Sequence, residues 1–302
     1  MKRILILALK VPILTGIMFL CFVGAGVLVP LQVSTAGGDL GSVTGALLLA
    51  CALNTIVLAN LIIRSQWRGW RLIATVFVAF FGTTTLMSQI ETAVYVTQLP
   101  AGTLPRLFLA GGLVAAPFSF LAVVVLGRGR ANTVAAASSV SVGETASEWA
   151  WKLSVITLAY LVLYFGFGYF VAWRNPELRA YYGGIDEGSF FAQMATVLGK
   201  QPWLVPFQMA RALLWTAIAW PIVRMTAAGR LEVSVALGCA FAVLMTSMLL
   251  IPNPFMPESV RYSHIIEIAP SNFLFGMLIG WLLTWRRAAE RDGPRPRRTG
   301  AG

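Results

Sequence analysis

The segment at residues 251–285 reads I-P-N-P-F-M-P-E-S-V-R-Y-S-H-I-I-E-I-A-P-S-N-F-L-F-G-M-L-I-G-W-L-L-T-W. It contains the only histidine of the chain, His264, and it joins two strongly apolar runs. Arg261, His264 and Glu267 recur every three residues, so a helix through them would carry all three on one face. The segment therefore combines a polar helical face with an apolar stretch that can enter a membrane.

Pro270 interrupts this segment. Proline lacks a backbone N–H, and it pushes the residue before it out of helical geometry. The sequence therefore predicts a short polar helix over 258–268, a break, and a short membrane helix over 271–285. Such a break frees a backbone carbonyl close to Asn272, and broken helices with ionisable groups at membrane depth often mark binding sites.

The composition indicates a membrane protein. Of the 302 residues, 58% are hydrophobic and only 12% are charged, whereas a soluble domain has about 25% charged residues. Long apolar runs recur along the chain, and a helix needs about 20 apolar residues to cross a bilayer. The sequence predicts an all-α, polytopic membrane helix bundle with one transmembrane domain over 1–285, and it argues against a soluble helical bundle.

Eight apolar segments fit this requirement, and all but the last are near the length that a bilayer needs. They lie at residues 11–31, 42–63, 72–94, 107–126, 151–172, 203–223, 231–251 and 271–285. The last segment is shorter because of the predicted break at Pro270. With eight transmembrane helices, both termini lie on the same side of the membrane.

The basic residues identify that side. Because basic loops stay in the cytoplasm, the face that carries most Lys and Arg residues is cytoplasmic. Seventeen of the 23 basic residues fall on the face of the termini: Lys2, Arg3, Lys10, Arg64, Arg68, Arg71, Arg128, Arg130, Lys152, Arg224, Arg230, Arg286, Arg287, Arg291, Arg295, Arg297 and Arg298. The sequence thus predicts a multi-pass protein of the cell membrane with both termini in the cytoplasm.

Residues 129–149 form a candidate cytoplasmic joint between two halves, 1–128 and 150–285. The joint is rich in Ala, Ser, Thr and Val, which is typical of a flexible linker. Thr145-x-x-Glu148 predicts a capping box at the start of span five. Shifting one half along the other aligns spans three and four with spans seven and eight, so the sequence is compatible with two related four-helix halves.

The tail at residues 286–302 is polar, basic and punctuated by Pro and Gly. Such a composition cannot build a packed core, so we expect a disordered cytoplasmic tail. Its charge would attract anionic lipid at the inner leaflet. The predicted partners are therefore the lipid bilayer and anionic lipid, and the clustering of basic residues at span ends argues against nucleic acid.

The longest predicted segment on the opposite face lies at residues 174–201. Tyr181-Tyr182-Gly183-Gly184 signals a turn. The aromatic pair Phe190-Phe191 makes the remainder too apolar for a plain solvated loop. Two interpretations stay open, an amphipathic segment on the membrane surface and a lid over a cavity.

Span three carries a polar stripe on an otherwise apolar helix. Thr84, Ser88, Glu91 and Tyr95 follow the spacing i, i+4, i+7, i+11, which places them on one helical face. In lipid such a stripe must face protein or water. Two interpretations of Glu91 stay open: a carboxylate in water near the outer boundary, and a group that faces an outward cavity.

Span six places an arginine inside the membrane. Gln208 and Arg211 lie at i and i+3, and Arg211 follows the start of the span at Trp203 by eight residues. An arginine at that depth usually has a partner. We expect the partner to be Glu91 or Glu267, which approach the same half of the membrane.

The sequence signals no cofactor and no catalytic motif. His264 and Glu267 have an H-x-x-E spacing that suits a metal, but a zinc site usually needs more histidine or cysteine ligands than the chain offers at that depth. The three cysteines, Cys21, Cys51 and Cys239, lie inside apolar runs without metal-ligand spacing. We therefore predict neither a metal nor a cofactor.

Three classes of function remain open. The first is a permease with an outward-facing polar cavity for a small solute or proton. The second is an intramembrane enzyme that acts on a lipid or peptide at the outer leaflet, with His264 and Glu267 or Glu91 as acid and base. The third is a structural or accessory subunit without chemistry. The residues predicted to handle the solute or proton are Glu91, Arg211, His264, Glu267 and Asn272, and the supporting polar positions are Thr84, Ser88, Tyr95, Gln208 and Arg261.

Overall fold

A computed structural model describes residues 2–30, 40–96, 99–130, 145–252 and 256–285, with side chains from residue 9 onward. Within these ranges the chain forms helices and no strand. The α-helices are α1 (Lys2–Leu28), α2 (Leu40–Arg64), α3 (Gly69–Phe81), α4 (Ser88–Tyr95), α5 (Thr103–Val125), α6 (Ala146–Phe170), α7 (Pro176–Tyr181), α8 (Phe190–Lys200), α9 (Leu204–Met225), α10 (Arg230–Thr246) and α11 (Glu258–Leu283). A π-helical segment, Gly82–Met87, joins α3 to α4. Two 3-10 turns, Ala172–Arg174 and Ser247–Leu250, follow α6 and α10.

Seven of the described helical stretches are long and apolar enough to cross a membrane. They are Leu9–Leu28, Leu40–Arg64, Gly69–Tyr95, Thr103–Val125, Ala146–Arg174, Arg230–Leu250 and Glu258–Leu283. The prediction of an all-α, multi-pass membrane helix bundle is thereby confirmed.

The predicted sixth span is not among these seven. Its residues form α9, which has 22 residues and is long enough for a bilayer, but Gln208, Arg211 and Arg224 lower its mean hydropathy. α9 packs against α3, α6 and α11. Its last residue, Met225, accepts a hydrogen bond of 2.7 Å from the Gln66 N–H in the turn after α2. The eighth crossing remains a prediction.

The predicted break at Pro270 is wrong, and the last membrane helix is not short. Pro270 lies inside α11, which continues for 26 residues. Proline removes one intrahelical bond, but in a bilayer the other peptide groups have no water to bind, so the helix keeps its remaining bonds. The Ser271 hydroxyl donates to the Ile268 carbonyl (3.2 Å) beside the proline. Other prolines also lie inside described helices: Pro12, Pro117 and Pro221.

The second half of α11 packs on α10 through small residues. A Cβ added at Gly276 would come within 2.9 Å of backbone atoms of Leu237 and Gly238, and one at Gly280 within 2.7 Å of the Ser234 Cα. Only small residues allow two helix backbones to approach this closely, and membrane helices associate through such close van der Waals contact. The G-x-x-x-G spacing of Gly276 and Gly280 carries this signal, which the sequence analysis missed.

The π-helical segment packs against α5. Thr85 fills the space that a side chain at Gly111 would occupy, so the small residue in span four allows close packing. A π-helical segment adds a residue to the helical turn and is frequent at functional sites. Here it lies directly before α4, which carries Glu91 and Tyr95.

At one end of the bundle, which we call the basic end, the turns after α2, α5 and α9 lie together. The Arg128 guanidinium donates to the carbonyls of Ile63 (2.6 Å) and Ser65 (3.1 Å), and Ser65 pairs with Thr226 in an isolated bridge. Lys10 donates to the Val125 carbonyl (2.7 Å). Lys10 of α1 and Arg128 after α5 thus lie at the same end of the bundle.

The start of α6 follows the predicted pattern. The Thr145 hydroxyl accepts from the Glu148 N–H and the Glu148 carboxylate accepts from the Thr145 N–H, so the capping box is confirmed. Most of the predicted joint at 129–149 and the whole tail at 286–302 lie outside the described residues. The two related halves remain a prediction.

Candidate functional site

A cavity of about 890 Å³ lies at the opposite end of the bundle, which we call the cavity end. Its wall is formed by α4, α6, α9 and α11, together with α7 and α8. All five residues that the sequence predicts to handle a solute or proton line this cavity: Glu91, Arg211, His264, Glu267 and Asn272. A volume of this size is typical of sites for small organic molecules.

Arg211 on α9 forms an ion pair with Glu91 on α4. The Arg211 Nη1 lies 2.6 Å from the Glu91 Oε1 and donates to the Gln208 Oε1 at 2.9 Å. Arg211 is only 2% exposed. The expectation that Arg211 pairs with Glu91 or Glu267 is thus confirmed for Glu91. Each charge compensates the other, which a buried arginine requires.

Two tyrosines extend this ion pair into a network. The Gln208 amide donates to the Tyr95 hydroxyl (3.3 Å), and the Tyr95 hydroxyl lies 2.9 Å from the Tyr164 hydroxyl. We call Glu91, Arg211, Gln208, Tyr95 and Tyr164 the arginine network. It joins α4, α6 and α9, so three helices meet through polar side chains at membrane depth.

A second group of polar side chains lies on α11. The His264 Nδ1 is 2.9 Å from the Glu267 Oε2, and the His264 Nε2 is 2.9 Å from the Tyr182 hydroxyl. We call Tyr182, His264 and Glu267 the histidine cluster. An ionised carboxylate only accepts, so Nδ1 carries the proton toward Glu267, and in a neutral imidazole Nε2 then accepts from Tyr182.

Tyr182 lies between α7 and α8, outside the membrane-spanning segments. Burial raises the pKa of its hydroxyl well above the usual range, and the nearby Tyr181, Glu91 and Glu267 act in the same direction. The hydroxyl therefore keeps its proton and remains available as a donor to His264. Tyr182 couples the segment before α8 to the polar face of α11.

The segment at 174–201 covers part of the cavity. Tyr182, Gln193 and Met194 line the cavity, whereas Ile185 and Phe191 are exposed, Phe191 to 82%. The segment thus has one side toward the cavity and apolar side chains exposed on the other, and its position on the membrane surface stays a prediction. The predicted turn after Tyr181 is present, with Gly183 at a positive φ of 66°.

The other predicted positions divide between the cavity and the packed core. Ser88 lines the cavity, and its hydroxyl lies 3.6 Å from the Met245 sulfur. Thr84 does not line the cavity, and its hydroxyl donates to the Phe80 carbonyl. Arg261 also does not line it: it is buried and donates to the carbonyls of Leu249 and Leu250.

Some lining residues were not predicted from the sequence as site residues. Tyr160 and Tyr164 lie one turn apart on α6 and both line the cavity, as do Trp215 and Phe275. Aromatic residues at helical spacing also occur throughout packed cores, so the spacing alone does not mark a site. What marks Tyr164 is its hydroxyl contact with Tyr95, which depends on the packing of α4 against α6.

Among the described residues, no third histidine, cysteine or carboxylate joins a pair such as His264 and Glu267 to form a metal-binding group. The two carboxylates of the cavity instead bind a guanidinium and an imidazole. Comparisons with family models, with curated proteins and with solved structures find no match for this chain. The site's own chemistry must therefore carry the functional argument.

Proposed function

We propose that this protein is a permease that binds a small solute in the cavity. The observation that supports this most is the position of the histidine cluster and of Glu91, Arg211, Tyr95 and Tyr164 of the arginine network, which line one cavity inside a bundle of membrane-spanning helices. Ionisable groups at membrane depth are expensive and commonly lie on solute or proton pathways.

The proposal includes a topology. We propose that α9 is the eighth crossing, that both termini are cytoplasmic in the cell membrane, and that the cavity end faces outward. Two single cysteines test this, Ile185→Cys before α8 and Ala227→Cys after α9. Eight crossings place them on opposite sides of the membrane, so a membrane-impermeant thiol reagent should label Ile185→Cys from outside only. Labelling of both from one side would contradict the eighth crossing.

Access to the cavity tests the permease itself. A permease opens its site alternately to the two sides, so Asn272→Cys should react with a membrane-impermeant thiol reagent in both right-side-out and inside-out vesicles. Ile56→Cys on the exposed face of α2 is the control, and it should react from neither side because lipid covers it.

The histidine cluster also supports a second candidate, an enzyme acting on a lipid or peptide at the outer leaflet. A carboxylate that orients an imidazole next to a hydroxyl can serve general acid–base chemistry. This candidate needs access from one side only. Labelling of Asn272→Cys from outside alone would therefore favour the enzyme, and labelling from neither side would favour a closed accessory subunit.

A further inference from the structure

We propose that the cavity takes a small organic monocation, such as an ammonium group attached to an apolar body. This inference rests on the proposed solute-binding function and names the class of solute. It follows from the charges that line the cavity. Its ionisable side chains, tyrosines apart, are Glu91, Arg211, His264 and Glu267. The arginine cancels one carboxylate, so with a neutral imidazole the cavity carries one net negative charge.

Both carboxylates have an oxygen to offer. Glu91 uses Oε1 for Arg211, and Glu267 uses Oε2 for His264. In the part of the chain that the structure describes, the second oxygen of each has no hydrogen-bond partner. An ionised carboxylate accepts several hydrogen bonds and does so most strongly from a charged donor. The unused oxygens therefore favour a cationic donor in the cavity.

Glu267 borders the cavity next to Gly168 on α6, and both residues line it. The Glu267 Oε1 lies 3.6 Å from the position that a Cβ would take at Gly168. Because the glycine has no side chain to cover this oxygen, a donor in the cavity can reach it near Tyr164, which also lines the cavity. A cation at this place would lie between a carboxylate and an aromatic wall.

The wall suits an organic cation better than a metal ion. Aromatic rings line much of it, including Tyr160, Tyr164, Trp173, Tyr181 and Phe275. Ring faces attract ammonium and guanidinium groups, whereas inorganic cations need several oxygen ligands. Arg211 already lies 5.8 Å from the ring centre of Tyr160, so a cation beside this wall is part of the structure.

An anion fits the same cavity poorly. The buried Arg211 Nε has no hydrogen-bond partner among the described residues, and it is the donor that an anion would seek. To reach it, the anion must come close to Glu91, which binds the same guanidinium. It must also pass a second carboxylate, that of Glu267. Like charges at close range disfavour that arrangement.

The test measures binding of matched probes to the full-length protein in lipid nanodiscs at pH 8 by isothermal titration calorimetry. The probes are benzylammonium, benzyl alcohol and phenylacetate, which are cationic, neutral and anionic around one ring. We expect the cation to bind at least tenfold more tightly than the other two. Glu267→Gln should weaken its binding at least tenfold, whereas Glu232→Gln, at the basic end, should leave it unchanged.

Gly168→Leu provides a second variant that keeps every charge. The leucine should cover the unused oxygen of Glu267 and weaken binding of the cation at least tenfold. This test remains available even if Glu267→Gln fails to fold. Equal binding of benzyl alcohol, tighter binding of phenylacetate, or no binding of the cation would overturn the inference. The proposed permease is judged separately, because labelling of Asn272→Cys from both sides does not depend on the charge of the solute.

Discussion

Charged side chains at the basic end bind backbone carbonyls or lie at the surface, whereas Arg211 and Glu91 at the cavity end bind each other across two helices. Arg128 donates to two carbonyls, and the Arg64–Glu232 pair spans 3.2 Å with 40% and 60% of its side chains exposed. Arg211 and Glu91 lie 2.6 Å apart with 3% and 27% exposed. The same residue types thus close loops at one end and form a candidate site at the other.

The two halves of α11 repeat this contrast on one helix. After Pro270, Gly276 and Gly280 bring α11 against α10 without room for a side chain. Before Pro270, His264 and Glu267 line the cavity. A single helix therefore packs against α10 through its small residues and lines the cavity with its polar residues. Residue size determines the packing of one half, and polarity determines the site in the other.

The two ends should differ most in how much their ion pairs contribute to the free energy of unfolding. Glu91→Ala leaves the buried Arg211 charge without its carboxylate, and we expect it to lower the free energy of unfolding by about 3 kcal/mol. Glu232→Ala removes the corresponding carboxylate from an exposed pair, which is worth about 1 kcal/mol or less. Thermal denaturation in detergent measures both, and equal shifts in the melting temperature would contradict the contrast.

The contrast within α11 predicts that a substitution in its packed half lowers stability, but by less than the loss of Glu91. Gly276→Ala places a Cβ against backbone atoms of α10, so the two helices must separate, at a cost of about 1–3 kcal/mol. Gly166→Ala on α6 is the matched control, because nothing lies within 4 Å of its added Cβ. Melting temperatures of the two variants decide the point. An unchanged Gly276→Ala protein would show that the interface tolerates separation.

Pro270 lies between the two halves of α11, and its substitution should stabilise the helix. Pro270→Ala restores one backbone N–H, worth about 1 kcal/mol, and because α11 is already continuous, binding of benzylammonium should stay unchanged. Pro270→Gly restores the same N–H but has a helix propensity about 1 kcal/mol below that of Ala, so its melting temperature should rise less than that of Pro270→Ala. Loss of binding in Pro270→Ala would mean that the proline shapes the site.

The smallest effect should come from one hydroxyl at the cavity end. Tyr182→Phe removes the hydrogen bond to His264 and keeps the ring, so stability should fall by less than about 1 kcal/mol. The cation probe should lose less than tenfold in affinity, since the aromatic wall remains. Tyr262→Phe, on the exposed face of α11, is the control for both measurements. A tenfold or larger loss in Tyr182→Phe would assign the hydroxyl a direct contact with the solute.

The sequence alone determined the helical membrane class and the residues of the candidate site. Periodic apolar runs and the low share of charged residues predict membrane helices because a bilayer accepts little else. Glu91, Arg211, His264 and Glu267 stand out because ionisable groups inside apolar runs are costly and therefore informative. The rule that proline ends a helix failed at Pro270. It describes helices in water, where a backbone group that loses its helical hydrogen bond can bind water instead.

Only the tertiary structure decided which of these residues meet. Arg211 had two candidate partners, and the structure pairs it with Glu91 on α4, whereas Glu267 contacts His264 one turn before it on α11. Tyr164 and Tyr182 joined the site through hydroxyl contacts across helices far apart in the chain. Sequence spacing fixes which side chains share a face of one helix, but contacts between helices depend on how their surfaces fit, as where glycines let α10 and α11 touch.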